Sequence, residues 1–423
     1  MSHCDCDQTL KPQGLLALEQ ATKKLLDRAK PLSEWESVPL AQGLDRILAE
    51  PVQSNIAVPG WDNSAMDGYA VRASEIPVEG AELRISQRIP AGTAGDPLTP
   101  STAARIFTGA PIPPGADTVV IQEVCRPRGE KVWIPGDLKV GANIRRTGED
   151  IQAGAQILPA GTRLAPQHLG LAASVGVAQV PVYRRLRVAV FSSGDELVMP
   201  GQPLAPGQIY NSNRFLLAGL LQRLGCEVMD LGTVEDSLEA TKRTLSEASE
   251  RADLVLATGG VSVGEEDHVK PAVEAMGSLD LWKLSIRPGK PLAFGHIGER
   301  RTPFIGHPGN PVSLFVTFCL LTRPFIQRQQ GIGGDLSPKA LSARADFDWP
   351  KSGKRREFLR ARLIRDAQGQ AWVQAYPSRS SAVLSSVVWA DGLAVIPEGC
   401  TFQRGDRLDF IPFCELGAST TSP

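Results

Sequence analysis

Between residues 186 and 330, short apolar runs alternate with segments of helical length, and this alternation restricts the fold more than any other feature of the chain. LRVAVF (186–191), EVMDLG (227–232) and DLVLAT (253–258) read as buried strands. Residues 211–224, ending at Gly225, and 237–251 read as the helices between them, and another helix follows Lys270. LWKLSI (281–286), PLAFGHI (291–297) and PFIG (303–306) read as further strands. Apolar strands separated by helices predict a central, doubly wound, mostly parallel α/β domain with helices on both faces. The apolar run from Leu314 to Leu321 is about half the ~18 residues of a membrane span, so it reads as a buried helix.

The flanking sequence has a different character. Residues 14–29 place Leu15, Leu18, Thr22, Leu25 and Leu26 near one helical face, with Thr22 the polar exception. Residues 51–150 are rich in Gly, Pro, Thr and Val, with alternating runs such as DTVVIQE (117–123), and predict a compact β domain. A short helix is expected at 167–174, and 331–423 reads as a small C-terminal β domain. The expected division is therefore 1–50 plus 151–183, an inserted β domain at 51–150, the α/β domain at 184–330, and the C-terminal domain at 331–423.

With Lys+Arg 45 against Asp+Glu 46, net charge is −1, and bulk electrostatics draws such a chain to neither nucleic acid nor anionic membrane. The beginning of the sequence lacks a charged-then-apolar leader pattern, so a cytosolic location is expected. Seven cysteines fit reduced thiols better than a disulfide framework. Cys4 and Cys6, with His3 beside them, lack the four ligands of a closed zinc site and read as a polar tail.

Ligands of open α/β sheets bind beyond the carboxyl ends of the strands, and five such ends carry charge or glycine here. They are SSGDEL with Glu196, TVEDS with Asp236, GGVSVGEEDH with Glu265, Glu266 and Asp267, RPGKP with Arg287 and Lys290 (Lys283 just before it), and HPGNPVS. Gly259, Gly260 and Gly264 allow backbone N–H groups to approach an anion, although the loop is neither G-x-G-x-x-G nor a P-loop. Asn310 is placed to cap a helix starting at Pro311, which either offers donors to an anion or is simply a well-made helix start. The cations suit phosphate or another oxyanion, and the acids suit Mg²⁺ held through one or two carboxylates and substrate phosphate. Each has a plain alternative as a solvated loop. PGWDNSAMDGYA (59–70) either lends hydrogen bonds and a carboxylate to a cleft or closes a hairpin. The histidines have no metal-ligand spacing, and no G-x-S-x-G elbow or cysteine nucleophile motif is present.

PGWDNSAMDGYAVR, RIFTGAPIPPGADTVVIQE, IRRTGEDI, FSSGDEL, TGGVSVGEEDHVK, IRPGKPLAFG and GHPGNPVS together resemble the signature blocks of the molybdopterin molybdenumtransferases, the MoeA-type family, similar to the E domain of gephyrin. The likeness runs from about residue 14 to 415. It implies a MogA-like sheet domain, an elongated N-terminal dimerisation region, an inserted β domain and a C-terminal β-barrel. It implies insertion of molybdenum from molybdate into adenylylated molybdopterin with release of AMP, a divalent ion such as Mg²⁺, and a homodimer. The adenylyltransferase and downstream cofactor-insertion proteins are the further partners to test.

Carried over by motif, Asp67, Thr108, Glu196, Asp236 and Asp267 match active-site residues, the last three also as metal ligands. Asn63, Ser64, Gly259, Gly260, Ser262, Gly264, Lys283, Arg287, Lys290, Pro308, Gly309, Asn310 and Pro311 match the substrate-binding stretches. Arg355 or Arg360, and Ser380 or Ser381, match in the C-terminal domain. The chain departs from the family pattern at Arg287 (commonly Lys), His307 (commonly Leu) and Trp61 (commonly Phe). An adenylyltransferase or a pyrophosphatase on the same sheet domain would lack the DNSAMDGYA block, whereas a non-catalytic scaffold would bind without turnover.

Overall fold

The computed structural model describes residues 14–260 and 268–418. The sequence readings at His3, Cys4, Cys6, Ser262, Gly264, Glu265, Glu266 and Asp267 lie outside these described residues. The chain divides into two units, one built from residues up to 36, 45–47 and 183 onward, the other from 37–44 and 48–182.

In the first unit the alternating segment forms a six-stranded sheet. Its strands are β1 (Arg187–Ser193), β2 (Glu227–Val234), β3 (Leu254–Thr258), β4 (Gly277–Lys283), β5 (Pro291–Ile297) and β6 (Thr302–His307), in the order β2-β1-β3-β6-β5-β4. The first four in that order are parallel, and β5 and β4 add an antiparallel edge. Side chains alternate between two cores, as a sheet covered on both faces requires. Leu254 and Leu256 pack with Leu217, Leu221, Leu314 and Phe325 on one face. Val255 and Ala257 pack with Leu245 and Val273 on the other.

Among the helices of this unit, side-chain caps set the start of those beginning at Ser212 and Leu238. Helix α1 spans Leu18–Leu26. The Asn211 side chain accepts from the Arg214 N–H at the start of α2 (Ser212–Arg223), and Ser237 accepts from Ala240 at the start of α3 (Leu238–Arg251). Gly225, at φ +78°, ends the turn after α2. Helix α4 (Val269–Met276) follows the Gly-rich loop.

Two segments differ from the sequence reading. LWKLSI is not one strand: β4 ends at Lys283, Leu284 bridges Leu16, and Ile286–Arg287 pairs with Arg356–Glu357. Leu16 exchanges backbone hydrogen bonds with Lys283 and Ser285, so the helix expected from residue 14 starts only at Leu18. The run from Leu314 to Leu321, read as one buried helix, is the end of α5 (Pro311–Thr317) and most of a π-helical turn (Phe318–Thr322), after which α6 (Arg323–Gln329) follows. No described helix is long and apolar enough to cross a membrane.

The C-terminal strands β7 (Leu341–Ala345), β8 (Arg356–Arg365), β9 (Ala371–Ala375), β10 (Gly392–Ile396) and β11 (Arg407–Pro412) form a closed barrel in the order β8-β9-β7-β11-β10, with β10 returning to β8. Leu359, Ala361, Val373, Ala394, Ile396 and Phe410 fill it. In the second unit, residues 68–134 form a six-stranded sheet running Thr118–Ile121, Gly68–Val71, Thr102–Ile106, Ala81–Ile89, Lys131–Ile134 and Arg126–Arg128. Leading into it, Val52–Gln53 pairs with Gln156–Leu158, and Asn63–Ser64 with Ile144–Arg145.

His307 ends β6 fully buried, its ring nitrogens 3.0 Å from Thr317 Oγ1 and 3.1 Å from Thr322 Oγ1, at either side of the π-helical turn. Burial pushes its pKa down to about 3, so the ring is neutral. Below about pH 6.5 the unfolded chain binds a proton that the folded chain refuses. Stability should therefore fall as pH drops from about 6.5 toward 3, by up to about 1.4 kcal/mol per pH unit from this group. Urea unfolding of the native chain and His307→Leu at pH 7 and pH 5 measures it: the variant should lose less stability between the two.

Candidate active site

Three parallel strands end at one cavity of about 990 Å³. Ser193 at the end of β1, Thr258 at the end of β3 with Gly259 after it, and Pro308 after β6 all line it. Strand β2 lies on one side of β1 and β3 on the other, so the cavity opens at the topological switch point, where open α/β sheets leave a crevice.

The loops are held by short contacts between main chain and side chain. Gly259, at φ +82°, brings its Cα so near β1 that a Cβ would lie 2.4 Å from Ser193 O. Gly194 gives Glu196 room in the same way, since a Cβ there would lie 2.4 Å from a Glu196 carboxylate oxygen. Asn213, in the first turn of α2, donates from Nδ2 to Thr258 Oγ1 (2.9 Å) and to Gly309 O (2.7 Å), tying two strand ends together. The loop after β1 folds into a small parallel ribbon, Leu197–Val198 beside Ile209–Tyr210, which puts Glu196, Ile209 and Tyr210 on the wall.

Part of the wall is cationic. Arg287, Lys290, Arg355 and Arg379 line the cavity, against Glu196 as its one lining carboxylate among the described residues. Arg355 Nη1 donates to Ile286 O at 3.2 Å. Such a wall is built for an anion of more than one charge, and the seryl residues Ser380 and Ser381 lie beside it.

The structure sorts the sequence-derived residues. It brings together Glu196, Gly259, Gly260, Arg287, Lys290, Pro308, Gly309, Asn310, Pro311, Arg355 and Ser380. Asp236 stands just behind the wall, accepting from Ser193 Oγ at 3.4 Å. Among the described residues no three His, Cys, Asp or Glu groups form a metal-binding cluster. Lys283 is exposed at the end of β4 and does not line the cavity, because the chain turns out of the sheet at Leu284. Arg360 does not reach the cavity either. It is 1% exposed, and its guanidinium donates to Ser386 Oγ (2.9 Å), Ser378 O (2.8 Å) and Ser380 O (3.0 Å), so it holds the 378–380 loop from beneath. Asn310 precedes α5, but its side chain makes no cap. The Val312 N–H is already given to Ser381 O at 3.1 Å and is not a donor for a ligand.

In the second unit, Asp67 Oδ1 accepts from both the N–H and the hydroxyl of Thr108, each at 2.8 Å. The Thr108 backbone N–H, then its hydroxyl, hold the exposed Asp67 carboxyl below its usual range. Asn63 and Ser64 are buried within the loop, where Ser64 Oγ donates to Met66 O and Asn63 Oδ1 has no hydrogen-bond partner. Asp62 fastens the loop by accepting from the Thr147 N–H (2.8 Å) and from Arg146 (2.6 Å).

Residues 16–176 match the family pattern described as MoeA N-terminal region (domain I and II). Residues 189–328 match a probable molybdopterin binding domain, and 342–413 the MoeA C-terminal region (domain IV). A Haemophilus influenzae protein named molybdopterin molybdenumtransferase is 40% identical over 405 residues, covering 95% of this chain and all of its own length (100%). The chain belongs to the MoeA family. A Bacillus subtilis relative of the same name is 32% identical over 94% of both chains. The solved structure of a molybdopterin biosynthesis MoeA protein from Pyrococcus horikoshii superposes with a TM-score of 0.81 at 28% identity, covering 94% of this chain and 100% of that one.

The sequence reading missed Ile209, Tyr210, Asn213 and Arg379. Arg379 adjoins Ser380, but only the folded loop shows that it turns inward. Arg360→Met should fold less stably by about 1–3 kcal/mol for each buried partner left unpaired. Urea unfolding measures this, and an unchanged midpoint would remove Arg360 from its place beneath the loop.

Proposed function

We propose that this chain is a molybdopterin molybdenumtransferase, inserting molybdenum from molybdate into adenylylated molybdopterin with release of AMP. The observation that carries the reading is the cavity at the switch point, lined by four cations and by Glu196, in a chain matched along nearly its whole length by relatives of that name.

The residues divide the work by chemistry. Arg287, Lys290, Arg355 and Arg379 bind the charged oxygens of molybdate and of the pyrophosphate link. The Ser193–Gly194 and Thr258–Gly260 turns admit the substrate close to the main chain. Exposed Tyr210 and Ile209 offer flat apolar contact to a ring system. Glu196 and Asp236 fit a hard divalent cation, since Mg²⁺ is commonly held by one or two carboxylates together with substrate phosphate oxygens. That ion, when bound, acts as a Lewis acid on the pyrophosphate. Asp67, kept ionised by Thr108, is a carboxylate ready to orient water or substrate. The reading includes a homodimer located in the cytoplasm, in which the Asp67–Thr108 pair of one copy serves the cavity of the other.

Purified protein given adenylylated molybdopterin, Mg²⁺ and molybdate should release AMP only when the oxyanion is present, with tungstate in a parallel arm to define metal preference. Tight binding of the adenylylated compound without release would overturn the transferase reading in favour of a scaffold. Glu196→Ala and Asp67→Ala should each lower AMP release by roughly a hundredfold or more with the fold retained. Chelation of divalent ions should stop release, and added Mg²⁺ should restore it.

A further inference from the structure

We propose that Arg379 is the oxyanion-selecting residue of the cavity and Glu357 its positioning residue, the Glu357 carboxylate holding the Arg379 and Arg287 guanidiniums as a two-pronged clamp for a tetrahedral dianion. The inference rests on the transferase reading above and adds to it a residue and an arrangement.

Glu357 lies in β8 with its side chain 7% exposed, directly opposite Arg287 in the short parallel ladder. Its Oε1 contacts a guanidinium nitrogen of Arg379 and lies 3.6 Å from Arg287 Nη1. Two guanidiniums repel when side by side, and one shared carboxylate both permits and fixes their proximity. The group as a whole keeps one positive charge in surplus. Lys290 and Arg355 in the same lining add two more and Glu196 removes one, leaving two positive charges against the two negative ones of a dianion. Arg379 and Arg287 stay 43% and 44% exposed, and each guanidinium has five N–H donors, so most donors remain for a ligand.

The clamp is set before any ligand arrives. The Arg379 guanidinium lies 4.5 Å from the centroid of the Trp349 ring, which restricts its rotamers. Arg360, from below, holds the carbonyls of Ser378 and Ser380 on either side of it. Val312 at the start of α5 holds Ser381 O. A donor pair fixed in advance binds an oxyanion without the ordering cost that mobile side chains carry. Planar forks also match the paired oxygens of a tetrahedral oxyanion better than ammonium groups do.

Steady-state AMP release by the full chain, with molybdate and adenylylated molybdopterin varied separately, tests the clamp. Arg379→Gln should raise the half-saturating molybdate concentration roughly ten- to a hundredfold. The half-saturating adenylylated molybdopterin should not move, and Arg379→Lys should recover little because it restores charge but not the fork. Glu357→Gln separates positioning from net charge. It makes the wall more positive, so charge alone predicts tighter molybdate binding, whereas the clamp predicts weaker binding. An unchanged molybdate response in Arg379→Gln, a shift in the adenylylated substrate instead, or tighter binding in Glu357→Gln would each overturn the proposal. Equilibrium dialysis with molybdate alone keeps the two readings apart. Arg379-dependent binding without turnover upholds the clamp and overturns the transferase, while turnover with Arg379-independent binding does the reverse.

Discussion

The structure of the first unit depends on one constraint, the burial of strand β3 on both faces at the centre of a parallel sheet. All five residues from Leu254 to Thr258 are buried, alternate ones serving different cores. A strand with no polar face must have neighbours on both edges and helices above and below, and parallel neighbours require crossovers that return the chain to the same end. The loops after β1, β3 and β6 therefore emerge together. Because β1 and β3 send their crossovers to opposite sides, those loops part and leave a cavity between them. The chemistry sits where the topology leaves space.

Charge inside that space is arranged by burial. Glu357 and Arg360 both lie in β8, with Phe358 and Leu359 between them, both nearly inaccessible, and neither lines the cavity. One gathers two guanidiniums through its carboxylate, and the other clips two carbonyls through its guanidinium. Buried ionic groups left unpaired are costly, so each fixes its partners firmly. The barrel thus supplies a stiff base for a wall whose outer groups stay solvated until an anion displaces water. His307 plays a comparable part at the end of α5. It is a neutral ring between two threonine hydroxyls, placed where the helix shifts from α to π geometry.

Much was legible in the sequence because local rules and tertiary context agree there. The strands at 187–193, 227–234 and 254–258 and the helices between them follow from apolar period and caps at Asn211 and Ser237. Glu196, Gly259, Arg287 and Lys290 are legible because each stands just past the carboxyl end of an apolar run, where open sheets bind ligands. The failures came where one stretch serves two partners. LWKLSI looks like one strand because its apolar period is unbroken, yet its end pairs with the barrel. The helix starts at Pro311 as read, with Asn310 before it, but the Asn310 side chain makes no cap and the Ser381 carbonyl takes the Val312 N–H. Arg360 carries a binding residue's side chain in a buried place, and Arg379 had only its neighbour Ser380 to recommend it.

The sequence by itself determined the layer architecture, the strand ends that carry chemistry and the family, since these depend on period, turn residues and contiguous blocks a few residues long. Only the tertiary structure decided which cations face the cavity and which brace it, and that two arginines 92 positions apart share one buried carboxylate. Direction and burial of a side chain are set by contacts between distant segments. A charged residue reads alike in sequence whether it reaches water, a ligand or another residue's backbone.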